Sequence, residues 1–127
     1  MLTKVHHIAI ICSDYEKSKE FYTQFLGLTI IKETYRKERK SYKLDLALND
    51  EYVVELFSFP DPPKRTSRPE ACGLRHLAFQ VQNMEDVINH CHKHLIPIEP
   101  VRIDEITGKK FTFISDPDEL PIEFYQQ

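Results

Sequence analysis

Two histidines and two glutamates in this 127-residue chain stand where polar groups need a reason. His7 opens the run His7-Ile8-Ala9-Ile10, and His76 opens His76-Leu77-Ala78-Phe79. Glu55 lies inside Val53-Val54-Glu55-Leu56, and Glu123 inside Pro121-Ile122-Glu123-Phe124. An ionised carboxylate in an apolar strand is costly unless it is paired, hydrogen-bonded or bound to a metal. Two imidazoles and two carboxylates suit a borderline divalent ion such as Zn²⁺, Ni²⁺, Co²⁺ or Mn²⁺, with positions left open for water or substrate. The plainer reading is that these strands have one wet face and carry four surface polar groups. The spacing weighs for the metal: the histidines are 69 positions apart (76 − 7) and the glutamates 68 (123 − 55).

The elements that must position these residues read as one order given twice. Residues 5–12 are nearly all apolar, which predicts a strand covered on both faces. Ser13-Asp14-Tyr15-Glu16 reads as a capping box, with Ser13 as the cap, for a helix over about 14–26. Phe21, Tyr22, Phe25 and Leu26 form its apolar stripe, and Gly27 fits the left-handed position that ends it. Residues 28–35 are β-branched and aromatic, 36–40 are a charged turn, and 42–48 alternate polar and apolar like a strand with one wet face. Asn49-Asp50 is a turn, and 52–59 is a strand carrying Glu55.

Residues 60–73 hold Pro60, Pro62, Pro63 and Pro69 and read as a linker or surface loop. The second half repeats the first. A strand spans 74–81, and a helix capped by Asn83 runs to about Leu95 with Val87, Ile88, Cys91 and Leu95 on one face. Strands follow at 98–103, 110–115 and 120–125, with turns at Thr107-Gly108 and Asp116-Pro117-Asp118-Glu119. The expected fold is α+β: two paired βαβββ modules, 1–59 and 74–127, in a single domain, with a curved sheet around a metal-binding cleft.

The bulk numbers exclude several classes. A charged content of 29% with 41% hydrophobic residues belongs to globular proteins, not disordered ones. A net charge of −3 supplies no field to recruit nucleic acid or anionic membrane. No apolar run approaches the ~20 residues that span a bilayer. The start, Met1-Leu2-Thr3-Lys4, carries no signal-peptide pattern. Cys12, Cys72 and Cys91 are an odd count without C-x-x-C spacing, so buried free thiols in a reducing cytoplasm are the simplest account.

Taken in order, several motifs are similar to those of the vicinal oxygen chelate superfamily, the group of glyoxalase I and the bleomycin-resistance proteins. They are Val5-His6-His7-Ile8-Ala9-Ile10, Phe21-Tyr22, Leu26-Gly27-Leu28, Val54-Glu55-Leu56, Leu74-Arg75-His76-Leu77-Ala78-Phe79, and Asp116-Pro117-Asp118 before Ile122-Glu123. Together they span the whole chain. The segment 67–76 also resembles a small bacterial subgroup labelled glyoxalase-like. The resemblance implies one divalent ion held by His7, Glu55, His76 and Glu123. It implies a lyase or isomerase of the glyoxalase I type acting on a small α-oxygenated carbonyl compound through an enediolate. Glu123 is then the first choice of catalytic base and Glu55 the second. It implies a cytoplasmic homodimer, with the cleft within one chain or across two. Two alternatives use the same resemblance: an epimerase acting beside a thioester carbonyl, and a metal-free protein that binds an antibiotic or metabolite.

The chain departs from glyoxalase I at two positions. An arginine four residues after the first histidine, a clamp for a glutathione carboxylate, is Ile11 here. An asparagine four residues after the first glutamate is Phe59. The substrate is therefore expected not to be a glutathione adduct.

The remaining polar residues are weighed individually. Arg36, Arg39, Lys43, Arg68 and Arg75 could rim a site for an anion, but ordinary solvated charge is the commoner role. His6 belongs to the strand face opposite His7. His90 and His94 are one helical turn apart and lack acidic partners for a metal. Phe57 and Phe59 could line a substrate pocket or fill the core.

Overall fold

A computed structural model describes all residues, 1–127. It divides into two compact units, Met1–Lys64 and Arg65–Gln127. Each unit is a βαβββ module with its own four-stranded sheet, so the class is α+β with the module repeated. No helix is long and apolar enough to cross a membrane.

Unit 1 begins with β1 (Ile8–Cys12) and α1 (Tyr15–Glu20), which continues into a π-helical turn at Phe21–Phe25. The N-cap of α1 is Asp14, whose side chain accepts from the Lys17 amide at 3.1 Å. The predicted cap, Ser13, is thus one residue early. The wide turn closes with Leu26 N–H bonded to the Phe21 carbonyl at 2.9 Å, and Gly27 follows at φ +81°, where a Cβ would be strained. Then come β2 (Thr29–Arg36), a 3₁₀ turn (Lys37–Arg39), β3 (Ser41–Leu48) and β4 (Glu51–Ser58). The strand order is β1-β4-β3-β2, with β1 parallel to β4 and the other pairings antiparallel.

Alternation along these strands sorts the residues by face. Ile10, Cys12, Leu44, Leu46, Val54 and Leu56 are buried together with Tyr15, Phe21, Tyr22, Phe25 and Leu28 from the helical segment and the turn after it. Each fully buried leucine contributes roughly 1.5–3 kcal/mol. The other face carries Ala9, Ile11, Glu55, Phe57, Lys43 and Asp45. Ile11 is 56% exposed there. The first strand is therefore covered on one face, not on both as its apolar run predicts.

Unit 2 comprises β5 (Leu77–Val81), α2 (Met84–Lys93), β6 (Arg102–Ile103), β7 (Lys110–Ser115) and β8 (Pro121–Gln126). The order β5-β8-β7-β6 and the parallel pairing of β5 with β8 repeat those of unit 1. Asn83 caps α2 by accepting from the Glu85 amide at 2.8 Å. Met84, Cys91, Ile114, Ile122 and Phe124 are buried. Leu95 departs from its predicted place on the apolar face: it takes φ +56° just past the helix and is 89% exposed. The strand predicted over 98–103 shrinks to two residues. Pro97 and Pro100 remove amide donors from that stretch, and its link to β7 there is reduced to isolated bonds such as Glu99 N–H to the Phe113 carbonyl at 3.1 Å.

Candidate functional site

The parallel pairing in each unit sets up the same arrangement. In unit 1, Ala9 is the register partner of Glu55; in unit 2, Ala78 is the partner of Glu123. In both, the histidine lies two residues before the alanine and so projects to the same side. Alanine places only a methyl beside the carboxylate, and the imidazole takes the space. His7 Nε2 lies 3.5 Å from Glu55 Oε2, and His76 Nε2 lies 3.1 Å from Glu123 Oε2. The glutamates are largely covered (13% and 14% exposed) and the histidines about one third exposed.

The spacing of the donor set bears on whether a metal fits it. Two ligands that each bind one ion at about 2.1 Å lie about 3.0–3.4 Å apart for bond angles from square to tetrahedral. Both His–Glu separations fall in or beside that window, with the same atoms, Nε2 and Oε2, facing each other. The residues fit a divalent ion pair by pair. No cluster of three or more His, Cys, Asp or Glu side chains is set to hold a metal ion.

The surroundings of the two pairs differ. The Tyr52 hydroxyl lies 2.6 Å from Glu55 Oε2 and 2.8 Å from Asp45 Oδ1. Lys43 Nζ is 3.0 Å from Asp45 and 3.7 Å from Glu55. Burial, and after it the two carboxylates, pushes the Tyr52 phenol far above its ordinary value, so it remains a donor. The His7 ring meets Tyr52 edge-on at 5.1 Å, and His6 Nδ1 is 2.8 Å from His7 Nδ1. In unit 2 the position equivalent to Asp45 is Phe113, which pairs with Glu123 in register. His76 packs edge-on against that ring at 5.2 Å. Glu123 thus has His76 as its polar neighbour, while Glu55 has four: His7, Tyr52, Lys43 and, through Tyr52, Asp45.

Sequence reasoning missed Asp45 and Tyr52. Asp45 was legible, since Lys43 and Asp45 alternate with buried leucines on a strand that carries polar groups on one side. Tyr52 was not. It lies three residues before Glu55, which strand parity assigns to the opposite face. The register shift between Leu46 and Ala47 leaves Val53 as an extra residue and turns Tyr52 toward Glu55.

The other weighed residues fall as follows. His90 and His94 stack on α2 with ring centroids 4.5 Å apart. Arg68 pairs with Glu70 at 3.2 Å on the surface. Arg75 is exposed, and its carbonyl accepts from Arg65 at 3.1 Å. Phe57 and Phe59 are half-buried and stacked, on the side of Glu55. All three cysteines are free. Cys12 and Cys91 are buried, and burial pushes the Cys91 thiol up, but Cys72 is exposed against expectation because it falls in the proline-rich segment 60–73, outside any helix or strand.

Residues 4–124 match the family model described as Glyoxalase/Bleomycin resistance protein/Dioxygenase superfamily. The protein YwkD of Bacillus subtilis (strain 168) is 61% identical, over 100% of this chain and 99% of its own. The crystal structure of the glyoxalase family protein from Enterococcus faecalis is 45% identical, covers 96% of both chains and superposes with a TM-score of 0.89. The trypanothione-dependent glyoxalase I of Leishmania major is 25% identical, with a TM-score of 0.73 over 98% of this chain and 87% of that one.

Proposed function

Because this chain belongs to the glyoxalase/bleomycin resistance/dioxygenase superfamily, we propose that it is a metal-dependent lyase or isomerase of the glyoxalase I type. Its substrate is a small α-oxygenated carbonyl compound, and the reaction removes and returns a proton beside that carbonyl. One observation carries the reading: the same His–Glu pair, at ligand spacing, built twice by the same register. His7, Glu55, His76 and Glu123 together are the ligand set for one divalent ion. When bound, that ion supplies Lewis-acid stabilisation of developing oxygen charge.

The chain's own groups then divide the work. Glu123 is the better candidate to take the proton. Apart from His76 its oxygens face no donor, so a lone pair is free for substrate. Glu55 already accepts from Tyr52 and faces Lys43, which suits it to hold position. The half-covered setting of both pairs limits water around them and strengthens their electrostatics. The same reading has the protein acting as a homodimer in the cytoplasm, and light scattering at twice the chain mass would support the dimer.

Metal titration of the chelator-treated full-length protein tests the assignment. The expected stoichiometry is one divalent ion per chain. Replacing any one of His7, Glu55, His76 or Glu123 by alanine should weaken that binding by at least about tenfold. If the His7→Ala and His76→Ala variants bind as the parent does, or the parent binds no divalent ion, the reading fails. The second outcome would favour a metal-free binding protein.

A further inference from the structure

A cation on the Glu55 face of unit 1 has no counter-ion. Arg36 ends β2, opposite Ser41. Its guanidinium carbon stands 4.8 Å from the centre of the Phe57 ring and 5.7 Å from that of Phe59. The two rings are 12° from parallel with centroids 5.8 Å apart, so they form one aromatic floor. Nη2 of Arg36 donates to the hydroxyl of fully buried Ser41 at 2.9 Å. Nε is buried and has no partner. No ion pair of the chain involves Arg36, whereas Lys43 on the same face is matched by Asp45 and Glu55.

A partly desolvated guanidinium with unsatisfied donors is costly unless an anion meets it. Stacking on rings fixes the guanidinium plane, so little freedom is lost when an oxyanion docks in two-pronged fashion. Unit 2 supplies the contrast. Arg102 stacks in the same way on Phe111 and Phe113, at 5.0 and 5.5 Å. Its side chain, however, is 54% exposed and faces Glu99 at 4.0 Å. Arg39 also lies over Phe59, at 5.3 Å, but it is exposed, so of the three ring-stacked arginines only Arg36 combines cover with missing charge.

We propose that Arg36, on its floor of Phe57 and Phe59, is an oxyanion-binding subsite, and that the substrate carries a carboxylate or phosphoryl group. Phe57 lies two residues beyond Glu55 on β4, about 7 Å along the strand. The acid group therefore sits roughly that far from the carboxylate of Glu55. The substrate class rests on the reading of Glu55 as part of the reaction centre; the anion site does not.

Inorganic phosphate and acetate are the probes, titrated separately into the full-length protein stripped of divalent ions so that neither probe can ligate one. The Nε–Hε resonance of Arg36 is followed by NMR. A saturable shift with either probe is expected, and the tighter one identifies the acid group. Arg36→Gln should weaken binding at least about tenfold, Arg36→Lys should fall between, and Arg102→Gln should stay within about twofold of the parent. Divalent-ion affinity, measured on the same variants, should not change. Absence of a saturable Arg36 shift overturns the proposal, as does unaltered binding in Arg36→Gln. The shift in the parent decides the matter even if a variant fails to fold. Failure of metal binding would leave the phosphate and acetate results standing, so the two readings fail separately.

Discussion

Glu33 shows how a single residue on β2 ties the helix to the sheet through charge. It accepts from Lys19 Nζ at 2.7 Å and from the Tyr15 hydroxyl. Those bonds, Lys19 first and Tyr15 second, hold its carboxyl below the ordinary value, and the phenol of Tyr15 is pushed up in turn, chiefly by burial. A carboxyl depressed in the folded state stabilises above its unfolded pKa and loses that contribution as the pH falls through the folded value. Glu33 is 36% exposed, so screening keeps the effect below about 1 kcal/mol. Glu33→Gln should therefore destabilise slightly near neutral pH, and the gap should close in acid. Urea unfolding at about pH 7 and about pH 3 measures it, and a gap that stays constant would mean the charge is not responsible. At this scale the sequence was most readable where chemistry is rare. His7, Glu55, His76 and Glu123 stood out because a carboxylate among valines needs a partner. Arg36 did not, since its missing counter-ion depends on which neighbours fold beside it.

At the scale of elements, the boundaries followed residues that tolerate the left-handed backbone conformation. Gly27 marked the end of the first helical segment, and Asn49 and Asp50 take φ +50° and +66° at the predicted turn. A Cβ on Gly27 would meet nothing within 4 Å, so its replacement tests backbone strain alone. Gly27→Ala should cost about 1 kcal/mol, and Gly27→Asn less, as shifts in thermal unfolding. A Gly27→Ala melt matching the parent would show that the turn relaxes. What the sequence could not give was cooperative geometry. The extra residue at Val53 depends on how β4 docks on β3, and the two prolines near Glu99 cut a strand that its β-branched residues advertised. The π-helical turn at Phe21–Phe25, where the Phe21 ring meets those of Tyr22 and Phe25, likewise has no signature in the residue spacing.

For the whole molecule, the offset of 69 and 68 positions announced a repeated module, and both sheets carry it in the same strand order. The departures from glyoxalase I now have surroundings. Ile11 is exposed and is the register partner of Phe57, and Phe57 stacks on Phe59. The positions of an arginine and asparagine clamp are thus apolar and aromatic. Turnover of the methylglyoxal–glutathione adduct is expected to be weak or absent in the metal-loaded protein, at least about a hundredfold below a glyoxalase I assayed beside it. Comparable kcat/KM for the two would refute this. The parallel pairing has a further consequence, in the order of events during folding. His7 and Glu55 are 48 positions apart (55 − 7), and His76 and Glu123 are 47 (123 − 76). Each pair meets only when the first and last strands of its module dock, after the chain has met the entropy of closing a long loop. An ion held by His7 with Glu55, or by His76 with Glu123, would meet both ligands only in the docked module, unlike the closely spaced ligands of a zinc finger. Under the proposed metal reading, chelation would follow completion of the sheets and could not nucleate them.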